Sequence, residues 1–175
     1  MQRIAKRYHV RMPAYVFSYH TKLSWMPDDP RGYVKRHKGI LPSDPNEAER
    51  YRRHAVHSAF TLTDELQRAV IEEVLVASKQ QELRSHFVAT EPTHIHILAS
   101  WRSDKTWQAV RNGLKSSLTK LLRRVHGAEA ADRQFFSNGS SRKHVRNQRH
   151  FDHWMTEYGP KHSGWKWCEG KGLFK

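Results

Sequence analysis

The stretch ELRSHFVATEPTHIHILASW, residues 82–101, decides how the chain is read. It holds two runs dense in aliphatic, β-branched and aromatic residues, ELRSHFVAT and THIHILASW, joined at Glu91–Pro92. Two such runs around a short polar break predict a β-hairpin. Side chains alternate along a strand, so His94, His96 and Leu98 share one face, while Ile95, Ile97 and Ala99 share the other. The aliphatic face suits packing beneath helices. The other face carries two imidazoles about 7 Å apart, a spacing at which both can reach one divalent ion. The pair alone decides nothing: with 13 His in 175 residues, about one His-x-His arises by chance. Two hydrogen-bonded histidines on an exposed sheet face also account for it, so its meaning comes from the surroundings.

Outward from the hairpin, two amphipathic helices flank it. TLTDELQRAVIEEVLVASKQQ (61–81) opens on Thr and Asp capping residues and places Leu62, Leu66, Val70 and Val74 four apart. SDKTWQAVRNGLKSSLTKLLRRVHG (103–127) opens at Ser103 and Asp104 and closes at Gly127. Its Trp107, Val110, Leu114, Leu118, Leu121 and Val125 step by three or four and make one apolar face. AYVFSYHTKLSW (14–25) reads as a strand and QFFSNGSSRKHV (134–145) as an irregular last one. MPDDPRGYVKRHKGILPSDP (26–45) reads as a long loop. PNEAERYRRHAVHSAF (45–60) reads as a short helix, with Asp44 as N-cap and Pro45 at its first position. RNQRHFDHWMTEYGPKHSG (146–164) reads as a final helix that breaks near Gly159–Pro160.

This order predicts an α+β fold: a ferredoxin-like βαββαβ open antiparallel sheet with helices on one face. The other face is then free for a ligand, and a C-terminal helix carries Tyr158. The chain is read as one domain, 1–175, with a basic N-terminal arm (1–13) and a loop and short-helix insertion (24–58).

Lys and Arg number 31 against 17 Asp and Glu, a formal net charge of +14 with a pI near 10.2. Such an excess draws polyanions, and nucleic acid is the default partner. Arg111, Lys115 and Lys120 lie off the apolar stripe of the 103–127 helix. Arg142, Lys143 and Arg146, with Trp154, Trp165 and Trp167, suit a DNA backbone and its stacked bases. A solvated face and ordinary core aromatics are the plain alternatives. The content of 6 Trp, 7 Phe and 6 Tyr excludes a disordered chain. The single Cys168 excludes an internal disulfide and a cysteine-based zinc cluster. No apolar run of about 18 residues exists, and the N-terminus lacks the apolar core of a signal peptide. A cytoplasmic protein with no membrane partner is expected.

Two histidines make a weak metal site, and a third ligand is needed. In EYGPKHSG (157–164), Tyr158 and His162 stand four apart, which puts them on one face of a helix. A tyrosine hydroxyl beside a bound metal is a candidate nucleophile in phosphodiester chemistry. Pro160 lies between the two and interrupts a regular helix, so the spacing has to work through a turn.

A His-hydrophobic-His pair on a strand after a short hairpin, a long helix carrying GLKSSLTKLL (113–122) and a late helix with a tyrosine occur here in order. In that order they resemble the HUH single-tyrosine transposases, the TnpA-type enzymes of small bacterial insertion sequences, and their REP-associated relatives. YHTKLSWMPDDPRGYV (19–34) also resembles the W-x-P-x-D-x-R-G opening of some transposase-like proteins of this group. The likeness runs from about Tyr15 to Trp167.

The resemblance implies that His94 and His96 hold Mg²⁺ or Mn²⁺ at the scissile phosphate of single-stranded DNA. It implies that Tyr158 attacks, forming a 5′-phosphotyrosine link and freeing a 3′-OH. In such enzymes a Gln one turn after the tyrosine often completes the metal shell; here His162 stands in that place. The resemblance further implies hairpin-forming DNA ends and a homodimer, in some members with the tyrosine helix set against the partner's histidines. An inactive or domesticated relative that binds DNA or RNA hairpins would share these segments. A plain ferredoxin-like nucleic-acid module would read bases with exposed aromatics on its sheet, where this one offers His94 and His96. A two-histidine phosphodiesterase needs two separate His-x-Ser/Thr motifs, and HIH is not one. The sequence is thus read as a metal-dependent single-stranded-DNA transesterase.

Overall fold

Residues 12–35 and 38–175 are described by the structure, a computed structural model, so most of the basic arm lies outside the described residues. In chain order the elements are β1 (Ala14–His20), β2 (Tyr33–Lys35), β3 (Gly39–Leu41), α1 (Pro45–Arg53) and α2 (Asp64–Gln80). They continue with β4 (Leu83–Glu91), β5 (His94–Trp101), α3 (Trp107–His126) and β6 (Ser141–His144). The last are α4 (Gln148–His153), β7 (Lys166–Cys168) and β8 (Gly172–Phe174).

Six strands form one antiparallel sheet in the order β6-β1-β5-β4-β7-β8, and β2 pairs with β3 in a separate ribbon. Within it, β6-β1-β5-β4 is the ferredoxin-like arrangement: β1 and β4 run parallel with β5 between them, joined through α2. The hairpin of 82–101 therefore supplies two central strands. Ile95, Ile97, Ala99 and Trp101 of β5, with Phe17, Tyr19 and Val88, meet Val70, Val74, Val110, Leu114 and Leu118 of the two long helices. The 3.6-residue apolar stripe of each helix and the two-residue period of each strand meet at this layer. A β-bulge between Ser85 and Phe87 resets the alternation of β4. Ser85 bonds to Ser78 of α2 at 2.8 Å, while Phe87 joins the opposite face.

That opposite face is covered, not free. Ala14, Val16, Phe87, Ala89 and Leu98 form a second core with Val145, Phe151 and Trp154 from the C-terminal segment. The sheet is open as expected, but the apolar part of this face is not free for a ligand, because Phe151 and Trp154 carry enough apolar surface to be buried on it. Several boundaries also move. β1 stops at His20, α1 stops at Arg53, and the expected 134–145 strand shortens to β6. α3 begins after Thr106, whose hydroxyl accepts from Ala109 N at 3.2 Å, and not at Ser103–Asp104. Val125 is exposed, and Leu122 takes the buried place on the stripe. The long loop of 26–45 contains the β2–β3 ribbon, and β7 and β8 extend the sheet beyond β4. Trp154 is buried, which withdraws it as a stacking surface for bases, and Trp165 and Trp167 are partly buried against the helix-side core. No helix among the described residues is long and apolar enough to cross a membrane.

Candidate functional site

The register of the sheet assembles a polar row at one end of the second face. His20 and Glu91 stand opposite His94, and Ser18 and Ala89 stand opposite His96. One step further along β5, Leu98 stands opposite Val16 and Phe87, where the apolar half begins. The C-terminal segment lies across both halves. Asn147 caps α4 by accepting from His150 N at 2.9 Å. The chain then widens into a π-turn, Trp154–Tyr158, and tightens into a 3₁₀ turn, Gly159–Lys161. Phe151 and Trp154 sit over the apolar half, and Tyr158 and His162 reach the imidazoles. Pro160 falls in the first positions of the 3₁₀ turn, where a missing N–H is tolerated.

The turn that carries His162 is seated closely. A Cβ on Gly159 would come within 2.7 Å of the Phe87 ring and of Trp154 O. A Cβ on Gly164 would come within 2.1 Å of Thr90 O and 2.3 Å of Gln67 Oε1. Only the absence of side chains lets the segment lie flush on β4 and α2. Thr90 N donates to Trp165 O at 2.9 Å, and Trp165 N donates to Gln67 Oε1 at 3.1 Å. The buried Lys166 donates to His162 O at 2.7 Å and to Gly164 O at 3.0 Å. Burial lowers the pKa of that ammonium. Gln67, Thr90, Gly164 and Lys166 escaped sequence reasoning; the glycines flanking His162 were the available signal.

The three histidines converge. One ligand nitrogen from each of His94, His96 and His162 lies within 4.8 Å of the others. Ring centroids are 4.9 Å apart for His94–His96, 4.7 Å for His96–His162 and 5.6 Å for His94–His162. His162 Nδ1 lies 3.1 Å from Tyr158 O and 3.1 Å from Gly159 O. A carbonyl only accepts, so Nδ1 carries the proton and Nε2 keeps its lone pair. His96 Nδ1 lies 2.6 Å from Ser18 Oγ, and the same tautomer follows when it donates there. His94 Nδ1 lies 3.0 Å from Thr93 Oγ1.

Burial holds the His94 pKa down to about 4, partly opposed by Glu91 and reinforced by His20, His162 and Arg31. Burial holds His96 down to about 3, with His94, His162 and His20 adding to it. These two rings are neutral at pH 7, the form that ligates a cation. Neutral nitrogens oriented from behind by hydrogen bonds make a donor set that could hold a metal ion. A bond length of about 2 Å per nitrogen needs only a modest inward turn of the rings.

Tyr158 is 39% exposed at the edge of this cluster. Its ring lies 5.2 Å from that of His162, 5.9 Å from His96 and 4.3 Å from Trp154, all in the same chain. The basic residues singled out in the sequence do not share one surface. Arg111, Lys115 and Lys120 ride on α3, across the sheet from the histidines. Lys115 is committed to Ser137 O at 2.8 Å and Gly139 O at 3.1 Å. Arg142 stands opposite Phe17 on the helix side, 3.8 Å above the Trp107 ring, which Arg111 also approaches at 5.2 Å. Lys143 stands opposite Val16, in the row that faces the C-terminal segment, and Arg146 is exposed just beyond.

Neither the protein-family models nor the curated proteins match this sequence. Solved structures do match in fold. A candidate transposase from Deinococcus radiodurans R1 superposes with a TM-score of 0.50 at 12% identity, over 94% of this chain and 100% of that one. A REP-associated tyrosine transposase bound to a REP hairpin superposes with a TM-score of 0.45 at 10% identity, over 87% of this chain and 67% of that one. At 12% identity the likeness to the Deinococcus protein is one of fold alone, a mainly antiparallel sheet with helices.

Proposed function

We propose that the protein is a metal-dependent single-stranded-DNA transesterase of the tyrosine-transposase kind. One observation carries this: three imidazoles from β5 and the C-terminal segment, His162 buried and His94 partly buried, converge beside a half-exposed tyrosine of the same chain. His94, His96 and His162 would hold a divalent cation. A cation there would supply polarisation of a phosphodiester and offset the charge that grows on it during attack. Ser18, Tyr158 O and Gly159 O hold two of the rings in the ligating tautomer.

The Tyr158 oxygen attacks phosphorus, the Tyr–O–P bond forms, and the bond from phosphorus to the 3′ oxygen breaks. The phenolic proton ends on the departing 3′-OH. The phosphotyrosine link keeps the energy of the broken ester, so a second 3′-OH can reverse the step, which suits strand transfer better than hydrolysis. Its closeness to the histidines of its own chain supports attack in cis. The net charge of +14 favours a DNA partner, and Lys143 and Arg146 are the cations best set to hold phosphates near the site. Hairpin-forming ends and a homodimer complete the proposal. Between Mg²⁺ and Mn²⁺, a three-nitrogen donor set favours Mn²⁺, because Mg²⁺ prefers oxygen ligands.

The test is incubation with Mn²⁺ or Mg²⁺ and hairpin oligonucleotides taken from DNA flanking the gene. The expected product is a protein–DNA adduct that survives denaturation, formed by the wild type and not by Tyr158→Phe. No adduct with cognate ends, or an equal yield from Tyr158→Phe, overturns the assignment. Tight hairpin binding with no adduct would make the protein a binding module.

A further inference from the structure

The loop after β1 leaves the sheet at the histidine end, because His20 stands opposite His94. It carries Trp25 back beside the site. The Trp25 ring lies 5.2 Å from His20, and His20 lies 5.4 Å from His94. Trp25 is 37% exposed, yet fixed: its indole N–H donates to Gly32 O at 2.8 Å. Gly32 has φ +84, and a Cβ there would come within 2.2 Å of Leu41 O. That combination restricts the position to glycine.

Arg31 is set over the same indole, 5.7 Å from its centroid. Asp29 fixes the guanidinium from one side, accepting from Nε at 2.9 Å and from Nη2 at 2.8 Å. The Arg31 backbone N–H also donates to Asp29 Oδ1 at 2.9 Å. This leaves Nη1, with two donors, outside the Asp29 pair, on a side chain that is 79% exposed.

We propose that Trp25 and Arg31 form a nucleotide subsite for the residue next to the reacting phosphate, its base stacked on the indole and its phosphate held by the guanidinium. The proposal rests on the single-stranded-DNA function above. A rigid, half-exposed aromatic face stacks any base with little ordering cost, since every base has a π-face. A guanidinium held by a carboxylate presents its remaining donors in a fixed fork, the geometry that phosphate accepts. Trp25 lies two ring contacts from His94, through His20, and Arg31 lies one step beyond over the indole. The single strand then enters over the 22–32 loop and crosses the histidines toward the tyrosine.

The experiment uses the full chain with Mn²⁺ and a single-stranded oligonucleotide of the cognate end, carrying 2-aminopurine at successive positions flanking the cleaved phosphate. In the wild type one position loses its fluorescence on binding. Trp25→Ala abolishes that quench and weakens binding roughly 5- to 150-fold, the range for loss of one stacked base. Trp25→Phe keeps part of both and guards against a folding defect. Arg31→Ala, at an exposed side chain, weakens binding roughly tenfold. If Trp25→Ala and Arg31→Ala bind and quench like a wild type that forms the adduct, the subsite falls alone. If the wild type neither binds the strand nor forms the adduct, the transesterase proposal falls and takes the subsite with it.

Discussion

Replacing Gly164 by alanine isolates the seat of the third imidazole. The new Cβ would lie 2.1 Å from Thr90 O and 2.3 Å from Gln67 Oε1, where ordinary contact begins near 3.4 Å. The first neighbour is backbone of a central strand and cannot yield, so the turn retreats by about 1.3 Å, the difference between 2.1 and 3.4 Å. Two hydrogen bonds from Thr90 to Trp165 O, at 2.9 and 2.8 Å, then stretch beyond bonding range. At about 1 kcal/mol each, with roughly 1–3 kcal/mol for residual overpacking, stability falls by about 3–5 kcal/mol. His162, two residues away, retreats with the turn. Donor nitrogens now within 4.8 Å would spread toward about 6 Å, too far for one cation with bonds of about 2 Å. Mn²⁺ affinity is expected to drop about 10- to 100-fold. Urea unfolding followed by tryptophan fluorescence and Mn²⁺ titration by calorimetry measure the two effects separately. A Gly164→Ala protein that binds Mn²⁺ within about twofold of wild type and unfolds within about 0.5 kcal/mol of it would refute the close-seating argument.

Three further outcomes follow from the same geometry. Ser18→Ala removes the only hydrogen-bond partner described for His96 Nδ1, and should cost about 10-fold in Mn²⁺ affinity while the fold persists; an unchanged titration contradicts the proposed tautomer. With chelator present, stability should be full above about pH 6.5 and fall as pH drops toward 4, because the unfolded chain protonates His94 and His96 while burial keeps them neutral in the folded chain. The slope is at most about 1.4 kcal/mol per pH unit for each histidine, and urea titrations that show the same slope in His94→Asn/His96→Asn would discount it. Mn²⁺ at a hundred times its dissociation constant should stabilise the fold by about 2.7 kcal/mol and raise the melting temperature more than equal Mg²⁺; equal shifts from both ions would argue against a nitrogen donor set.

What the sequence shows of this molecule follows the range of the physics involved. The alternation of His94–Ala99 and the stripe of Leu114 and Leu118 are local, and both place the right residues on the right faces. The cover on the histidine face is not local: Phe151 and Trp154 meet Leu98 across more than fifty positions, and no short-range pattern marks that pairing. Three-residue strands such as β7 and β8 are too short to show a period. Charge counting misleads in the same way. Lys115 looks like a free cation in the sequence and is spent on two loop carbonyls, while Lys166 looks like a tail residue and is buried beneath the His162 turn. Cross-strand register, which sets Ser18 behind His96 and His20 beside His94, is invisible until β1 is paired with β5.

The break at Gly159–Pro160, an obstacle to a regular helix in the sequence, is what orients the third imidazole. In an unbroken α-helix the Tyr158 carbonyl would accept from the backbone N–H of His162, four residues on. Here His162 leaves the helix in an extended conformation, φ −66 and ψ 138, and its N–H turns to Gly159 O at 3.3 Å. Tyr158 O is left as one of the orphan acceptors at a helix end, and the His162 ring satisfies it through Nδ1–H. The broken helix thereby ties the backbone of the proposed nucleophile to the ring of the proposed ligand. Under the proposed function this contact would couple the placement of Tyr158 to the orientation of the His162 ring.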